Sequence, residues 1–283
     1  MKIMSAASLV LAALVAVQSQ ADLRYKVQTK MEGAPKGQGG NQVMQMTAAG
    51  DKARMDFLEG GPVKSDGFIL TKDGGKSMTM VNTKDKTYMS WDMDAMMGMA
   101  GAMTSMMKLE VTDPKLEKLL DEPGQPILGY PTRHYKFRIR YGMSMNVMGF
   151  SMVSDVTREE ETWTTTKIDT AALSRWIGKI PKTMNETLDK LIELERGKME
   201  GLPLKMISVQ STTDKKNGKV TTTKQTMEVT EIQTLTADPA TFEIPAGYKE
   251  MKLTEDAEEG SEDAPKKDSL PAGLPNFLKM MKK

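Results

Sequence analysis

Leu23-Arg24-Tyr25-Lys26-Val27-Gln28-Thr29-Lys30-Met31-Glu32 is the stretch that decides the fold. Apolar or strand-favouring residues occupy every second position, with charged or amide residues between them. Successive side chains of an extended chain point to opposite faces, so the pattern predicts a strand buried on one side. Working outward, Ala53, Met55 and Phe57 alternate with Arg54 and Asp56. Arg133, Tyr135, Phe137, Ile139 and Tyr141 alternate with His134, Lys136, Arg138 and Arg140. Turn signals punctuate these segments at Ala49-Gly50-Asp51, Asp73-Gly74-Gly75, Asn82 to Lys86 and Lys216-Asn217-Gly218. The last has a Thr-rich arm on each side, Ser208 to Thr213 and Val220 to Thr226, which predicts a hairpin. Roughly ten or eleven strands joined by hairpins predict one curved antiparallel sheet.

Helical spacing is expected in three places. Between Met89 and Met107 stand eight methionines in nineteen residues (Met89, Met93, Met96, Met97, Met99, Met103, Met106, Met107), and most of them follow a helical period. Asp113-Pro114 reads as cap and first turn of a short helix carrying Leu116, Leu119 and Leu120. A third region starts at Asp169, pauses at Pro181 and resumes at Thr183-x-x-Glu186, a capping-box pattern, with an apolar stripe through Met184, Leu188, Leu191 and Ile192. A sheet with intercalated helices on one side is α+β.

The ends of the chain set its compartment. Met1-Lys2, an apolar stretch from Leu9 to Val17 and Ser19-Gln20-Ala21 form a secretory signal pattern over residues 1–21. No later segment reaches the length of a membrane-spanning helix. The chain holds no cysteine, which excludes disulfides, thiolate metal sites, Cys nucleophiles and a lipoprotein anchor. Lys+Arg number 39 and Asp+Glu 38, a balance with no pull toward nucleic acid. A periplasmic protein is expected, with a domain over 22–253. Residues 254–283 read as an acidic, disordered linker and a short apolar and basic tail.

Several of these residues stand together in a familiar arrangement: a strand holding Tyr25, then Gly50-Asp51-Lys52-Ala53-Arg54-Met55-Asp56, Lys86-Thr87-Tyr88 and Phe242-Glu243-Ile244-Pro245-Ala246-Gly247-Tyr248. Over residues 22 to 250 the set resembles an exported bacterial family of unknown function related to the LolA/LolB lipoprotein-carrier fold. The resemblance implies an unclosed antiparallel half-barrel, with helices covering its concave face and an apolar cavity between. No motif matches the carriers' lipoprotein-handling residues, and the methionine run is far denser than such a carrier requires.

Methionine is unbranched and polarizable, so a dense run is core filling, an adaptable greasy surface, or a site for a soft cation. Met143, Met145 and Met148 form a second cluster near Phe150 and Met152. The single histidine, His134, alternates away from Tyr135 and Phe137 and reads as solvent-facing. Glu159-Glu160-Glu161 reads as a solvated charged strand end. Asp73-Gly74-Gly75-Lys76-Ser77 ends like a phosphate loop, but Leu70 stands where its first glycine is required, so it is a turn. Nothing points to an enzyme or a resident cofactor. The expectation is a non-enzymatic binding protein for a hydrophobic ligand, a lipid or acyl chain. Its contacts are Met89, Trp91, Met93, Met96, Met97, Met99, Met103 and Met107, joined by Tyr25, Phe57, Tyr88, Phe137 and Met145. Beyond the ligand, the partners expected are the membrane surface or an outer-membrane protein. Two alternatives stay open: Cu(I)/Ag(I) binding or oxidant scavenging by the thioethers, and a structural, stress-related partner-binding role.

Overall fold

The computed structural model describes residues 22–34, 40–60, 67–98, 101, 109–147, 150–168 and 185–251. They form a twelve-stranded sheet: β1 (Asp22–Glu32), β2 (Gly40–Ala49), β3 (Lys52–Glu59), β4 (Gly67–Thr71), β5 (Ser77–Asn82), β6 (Thr87–Asp92), β7 (Glu110–Ile127), β8 (Tyr130–Val147), β9 (Phe150–Thr165), β10 (Leu202–Asp214), β11 (Val220–Leu235) and β12 (Lys249–Glu250). Its order is β12-β6-β5-β4-β3-β2-β1-β11-β10-β9-β8-β7, open at both ends. Every pairing is antiparallel except β12 with β6. The chain walks outward from β1 to β6, restarts at the far edge with β7, and walks back until β11 pairs with β1.

The alternating segments form strands where expected. Leu23, Tyr25 and Val27 are buried along β1, and Tyr135, Phe137 and Ile139 along β8. The Asn217-Gly218 turn joins β10 to β11 with Thr213 opposite Val220. The main core gathers Leu23, Tyr25, Val27, Met46, Leu202, Leu204 and Val229 from the central strands. A smaller one, Phe68, Leu70 and Val81 with Tyr88, Ile244 and Tyr248, lies on the other face of β3–β6. The chain after β11 covers it: a 3-10 turn over Pro239–Phe242 buries Phe242, and Arg54 lays its guanidinium 3.6 Å over the Phe68 ring while donating to the Thr241 carbonyl.

Two helical expectations are corrected. Residues 113–120 are strand, in β7. The ladder with β8 slips between Thr112 and Lys115 and again between Lys118 and Leu120, leaving Leu119 as an extra, 40% exposed residue. The bulge puts Leu116, opposite Ile139, and Leu120, opposite Lys136, on different faces, so the helix-like spacing of Leu116, Leu119 and Leu120 marks no common side in the extended chain. Pro114, Pro123 and Pro126 are tolerated because β7 is an edge strand, where a missing N–H breaks no ladder. The other correction is a cap. The helix Glu186–Arg196 starts from Asn185, not Thr183; the Asn185 carboxamide oxygen accepts from the backbone of Thr187 and Leu188.

Candidate functional site

Residues directly opposite one another in an antiparallel ladder share a face, so register decides which side chains meet. One row crosses seven strands: Ile232, Tyr25, Met46, Met55, Ile69, Met80 and Met89. All twelve methionines that lie in strands point to this same side. Met31, Met44, Met46, Met55, Met78, Met80 and Met89 do so in β1–β6. Met143, Met145, Met152, Met206 and Met227 do so in β8–β11. Thioethers therefore line one face of the sheet between β6 and β8, most of them half-buried, with Met46 and Met89 only 4% exposed.

Of the expected contacts, Tyr25, Phe57, Met89 and Trp91 lie on this methionine face, on β1, β3 and β6, and Phe137 and Met145 share it on β8. Tyr88 does not. It pairs with Val81 and packs into the small core on the opposite side, because it sits one residue out of phase with Met89. Met93, Met96 and Met97 lie in helical residues 93–98, half-buried, where the Asp92 carboxylate caps the Ala95 N–H and Met93 N–H is held by the Lys76 carbonyl. Met99, Met103 and Met107 lie outside the described residues.

Two polar atoms on this face have distinct environments. The Tyr25 hydroxyl donates to Met46 Sδ at 3.2 Å, and burial pushes its pKa up to about 12. The Trp91 indole Nε1 is buried without a hydrogen-bond partner among the described residues. A buried N–H left unpaired costs about 1–3 kcal/mol, so this donor is disposed toward an acceptor brought by a ligand.

The other half of the face carries a polar strip. Along β9, Arg158, Glu160, Thr162 and Thr164 point inward, with Thr162 opposite Tyr135 and Met206 and Glu160 opposite Phe137. The helix Glu186–Arg196 reaches this strip through Glu195, whose carboxylate pairs with Arg158. Glu195 is 4% exposed, and burial, only partly offset by Arg158, lifts its pKa to about 7. Its Oε1 and the hydroxyls of Thr162 and Thr164 have no hydrogen-bond partner among the described residues.

The opposite face at this end is a charge ladder. Arg138 pairs with Glu159 at 2.6 Å, Lys136 with Glu161 at 2.9 Å, and Arg140 with Glu117. The Glu159-Glu160-Glu161 run is thus solvated only at its outer members; Glu160 faces inward, as strand alternation requires. His134 is corrected as well. Its side chain is 15% exposed, stacked 4.1 Å from Trp163 and 3.2 Å from Glu161 Oε2. Asp73 is a turn residue as expected, its carboxylate accepting from Thr71, Lys76 and Ser77. A cavity of about 330 Å³ beside the Thr112 bulge is lined by Asp113, Lys115, Arg140, Asp155 and Lys215 among others, walls too charged for an acyl chain. Among the described residues no group of three or more His, Cys, Asp and Glu could hold a metal ion.

One signal escaped the sequence reading. Met44-x-Met46 and Met55-x-Phe57 recur 34 residues later as Met78-x-Met80 and Met89-x-Trp91, and Asp51-Lys52 recurs as Asp85-Lys86. The register repeats too: Met46 opposite Met55 and Met44 opposite Phe57, then Met80 opposite Met89 and Met78 opposite Trp91. Met89 belongs both to the second copy and to the dense methionine run that follows it, which hides the repeat.

A family model described as a domain of unknown function, DUF4412, matches residues 28–248. No curated protein matches the chain. Among solved structures, PNGF-II in a C2 crystal form is 12% identical with a TM-score of 0.34, covering 93% of this chain and 33% of its own. The P21 form of the same protein is 12% identical with a TM-score of 0.31, covering 82% of this chain and 31% of its own. The chain thus spans about a third of these structures, and scores this low carry no inference.

Proposed function

The chain belongs to the DUF4412 family, a domain of unknown function, and from that premise we propose that it is a non-enzymatic binding protein for a hydrophobic ligand, a lipid or acyl chain, held against the methionine face. The observation that carries this reading is the one-sidedness of the methionines. Twelve flexible, polarizable side chains on one side of a sheet make a surface that moulds to a chain of variable shape. Each buried methylene contributes roughly 0.8 kcal/mol, so affinity needs no polar anchor. The unpartnered Trp91 N–H suits the carbonyl of an ester or acid at one end of such a ligand. On this proposal the sheet curves as an unclosed half-barrel and the protein is exported to the periplasm.

The test exploits the two sides of the sheet. Met80→Lys puts a charge on the methionine face, and Ser90→Lys puts one on the exposed opposite side. Titration with a fluorescent fatty acid should show binding weakened at least about tenfold by the first and little changed by the second, because only the first desolvates a charge. Equal binding by both variants, with melting temperatures near the parent's, sinks the proposal. Native mass spectrometry of protein purified from cells would then identify what is bound.

A further inference from the structure

The two copies of the methionine repeat differ in what their sulfurs already do. In the β2–β3 copy, Met46 Sδ accepts the Tyr25 hydroxyl, and the ring is Phe57. In the β5–β6 copy no hydrogen bond to Met78, Met80 or Met89 occurs among the described residues, and the ring is the indole of Trp91. We propose that the quartet Met78, Met80, Met89 and Trp91 is a binding site for a soft monovalent cation of the Cu(I)/Ag(I) class.

The geometry follows from register. Directly opposite Cβ atoms in a ladder lie about 4.5–5.5 Å apart, and diagonal neighbours about 7–8 Å. A methionine sulfur stands two bonds beyond Cβ on rotatable torsions, so the three thioethers can converge on one ion above the hairpin. Thioethers are neutral, soft donors that select Cu(I)-like ions over hard divalent cations. The nearest carboxylate on the hairpin, Asp92, points to the other side and is engaged in capping Ala95. The Trp91 ring adds a π face that attracts a desolvated cation. Both ends of the hairpin are fixed before any ion arrives. Asp73 ties the start of β5 to Thr71 and Ser77, and the Lys76 carbonyl holds Met93 N–H at the end of β6.

This inference does not rest on the lipid reading, and its failure leaves that reading intact. The experiment is titration of the full chain with Ag(I), followed by native mass spectrometry in excess free methionine and by tryptophan fluorescence. One retained ion and quenching are expected. Replacing Met78, Met80 and Met89 together by Leu preserves apolar volume and removes the sulfurs; affinity should fall at least about 100-fold. The matching triple replacement in the β2–β3 copy should change it less than about threefold and keeps the volume equally. If the first triple variant does not fold, Met78→Leu at a half-buried position is the substitute, with a loss of about tenfold expected. Absence of a retained ion in the parent, or equal affinity in the parent and the β5–β6 variant, overturns the site.

Discussion

The β2–β6 and β7–β11 halves of the sheet solve the same problem differently. Strands of β3–β6 are 5 to 8 residues long, and both of their faces are covered by apolar groups, methionines on one side and the Phe242-bearing segment on the other. Strands β7–β9 run 16 to 18 residues; their inner face mixes Phe137 and Ile139 with Arg158, Glu160 and Thr162, and their outer face is a ladder of ion pairs. Exposed ion pairs contribute at most about 1 kcal/mol each, so the long half derives its stability from a few buried rings and the short half from apolar packing on both sides. The comparison teaches where the proposed ligand would fit. Displaceable, uniform apolar contacts belong to the short half, and fixed polar ones to the long half.

Truncating the fully buried ring of the long half should have the largest effect. Phe137→Ala removes a side chain that is 0% exposed, and a loss of about 3–5 kcal/mol in chemical denaturation is expected. A loss below about 1 kcal/mol would show that the inner face of β8 is not a core at all.

Next comes Glu195, where the sign matters. Its pKa is raised from 4.5 to about 7 in the folded chain, so the folded state holds an extra proton between those values. Stability from this group is therefore full below pH 4.5, falls as pH rises toward 7, and is flat above; the whole fall is at most about 3 kcal/mol. Glu195→Gln should flatten the melting temperature across this window and leave the variant the more stable protein at pH 8. A parent and a variant with parallel pH profiles would break the assignment.

A smaller loss is expected at Gly124, where an added Cβ would stand 2.8 Å from Trp163 and 2.5 Å from the Thr132 hydroxyl. Gly124→Ala should cost about 1–3 kcal/mol and disturb the Trp163 fluorescence that His134 stacking shapes. The smallest change is a gain. Leu128 and Gly129 form the two-residue turn between β7 and β8, both with positive φ, 52° and 80°. A bulky side chain is strained there, and asparagine is favoured. Leu128→Asn should raise stability by about 0.5–1 kcal/mol, measured as a shift in denaturation midpoint. No gain would mean that the exposed Leu128 side chain makes a compensating contact.

Much of the sheet was legible because alternation survives any tertiary context in which one face is buried. Leu23-Tyr25-Val27 and Tyr135-Phe137-Ile139 needed no further information. Segment 113–120 was not legible, because bulges after Thr112 and Lys118 interrupt the alternation that marks a strand and leave Leu116, Leu119 and Leu120 at helix-like positions that share no face. The site divided in the same way. Tyr25, Phe57, Met89 and Trp91 share a face as their alternation implies, whereas Tyr88 was drawn in as an aromatic neighbour against its own phase. The Glu195–Arg158 pair was invisible, since 37 residues separate partners that only the packed helix brings together.

The place of β1 between β2 and β11 has a kinetic consequence. Its pairing with β2 spans a short loop, but its other edge waits for residues about 200 positions later; the Thr230 hydroxyl reaches the Lys26 carbonyl across a separation of 204. Closing so long a loop costs entropy before any contact offsets it, and distant pairings form slowly. The two meanders should therefore assemble as separate units, with the β1–β11 seam zipping last. Pulsed hydrogen exchange during refolding would show this order as late protection of Val27 and Val229 relative to Met55 and Phe137; simultaneous protection would mean that the sheet forms in one step.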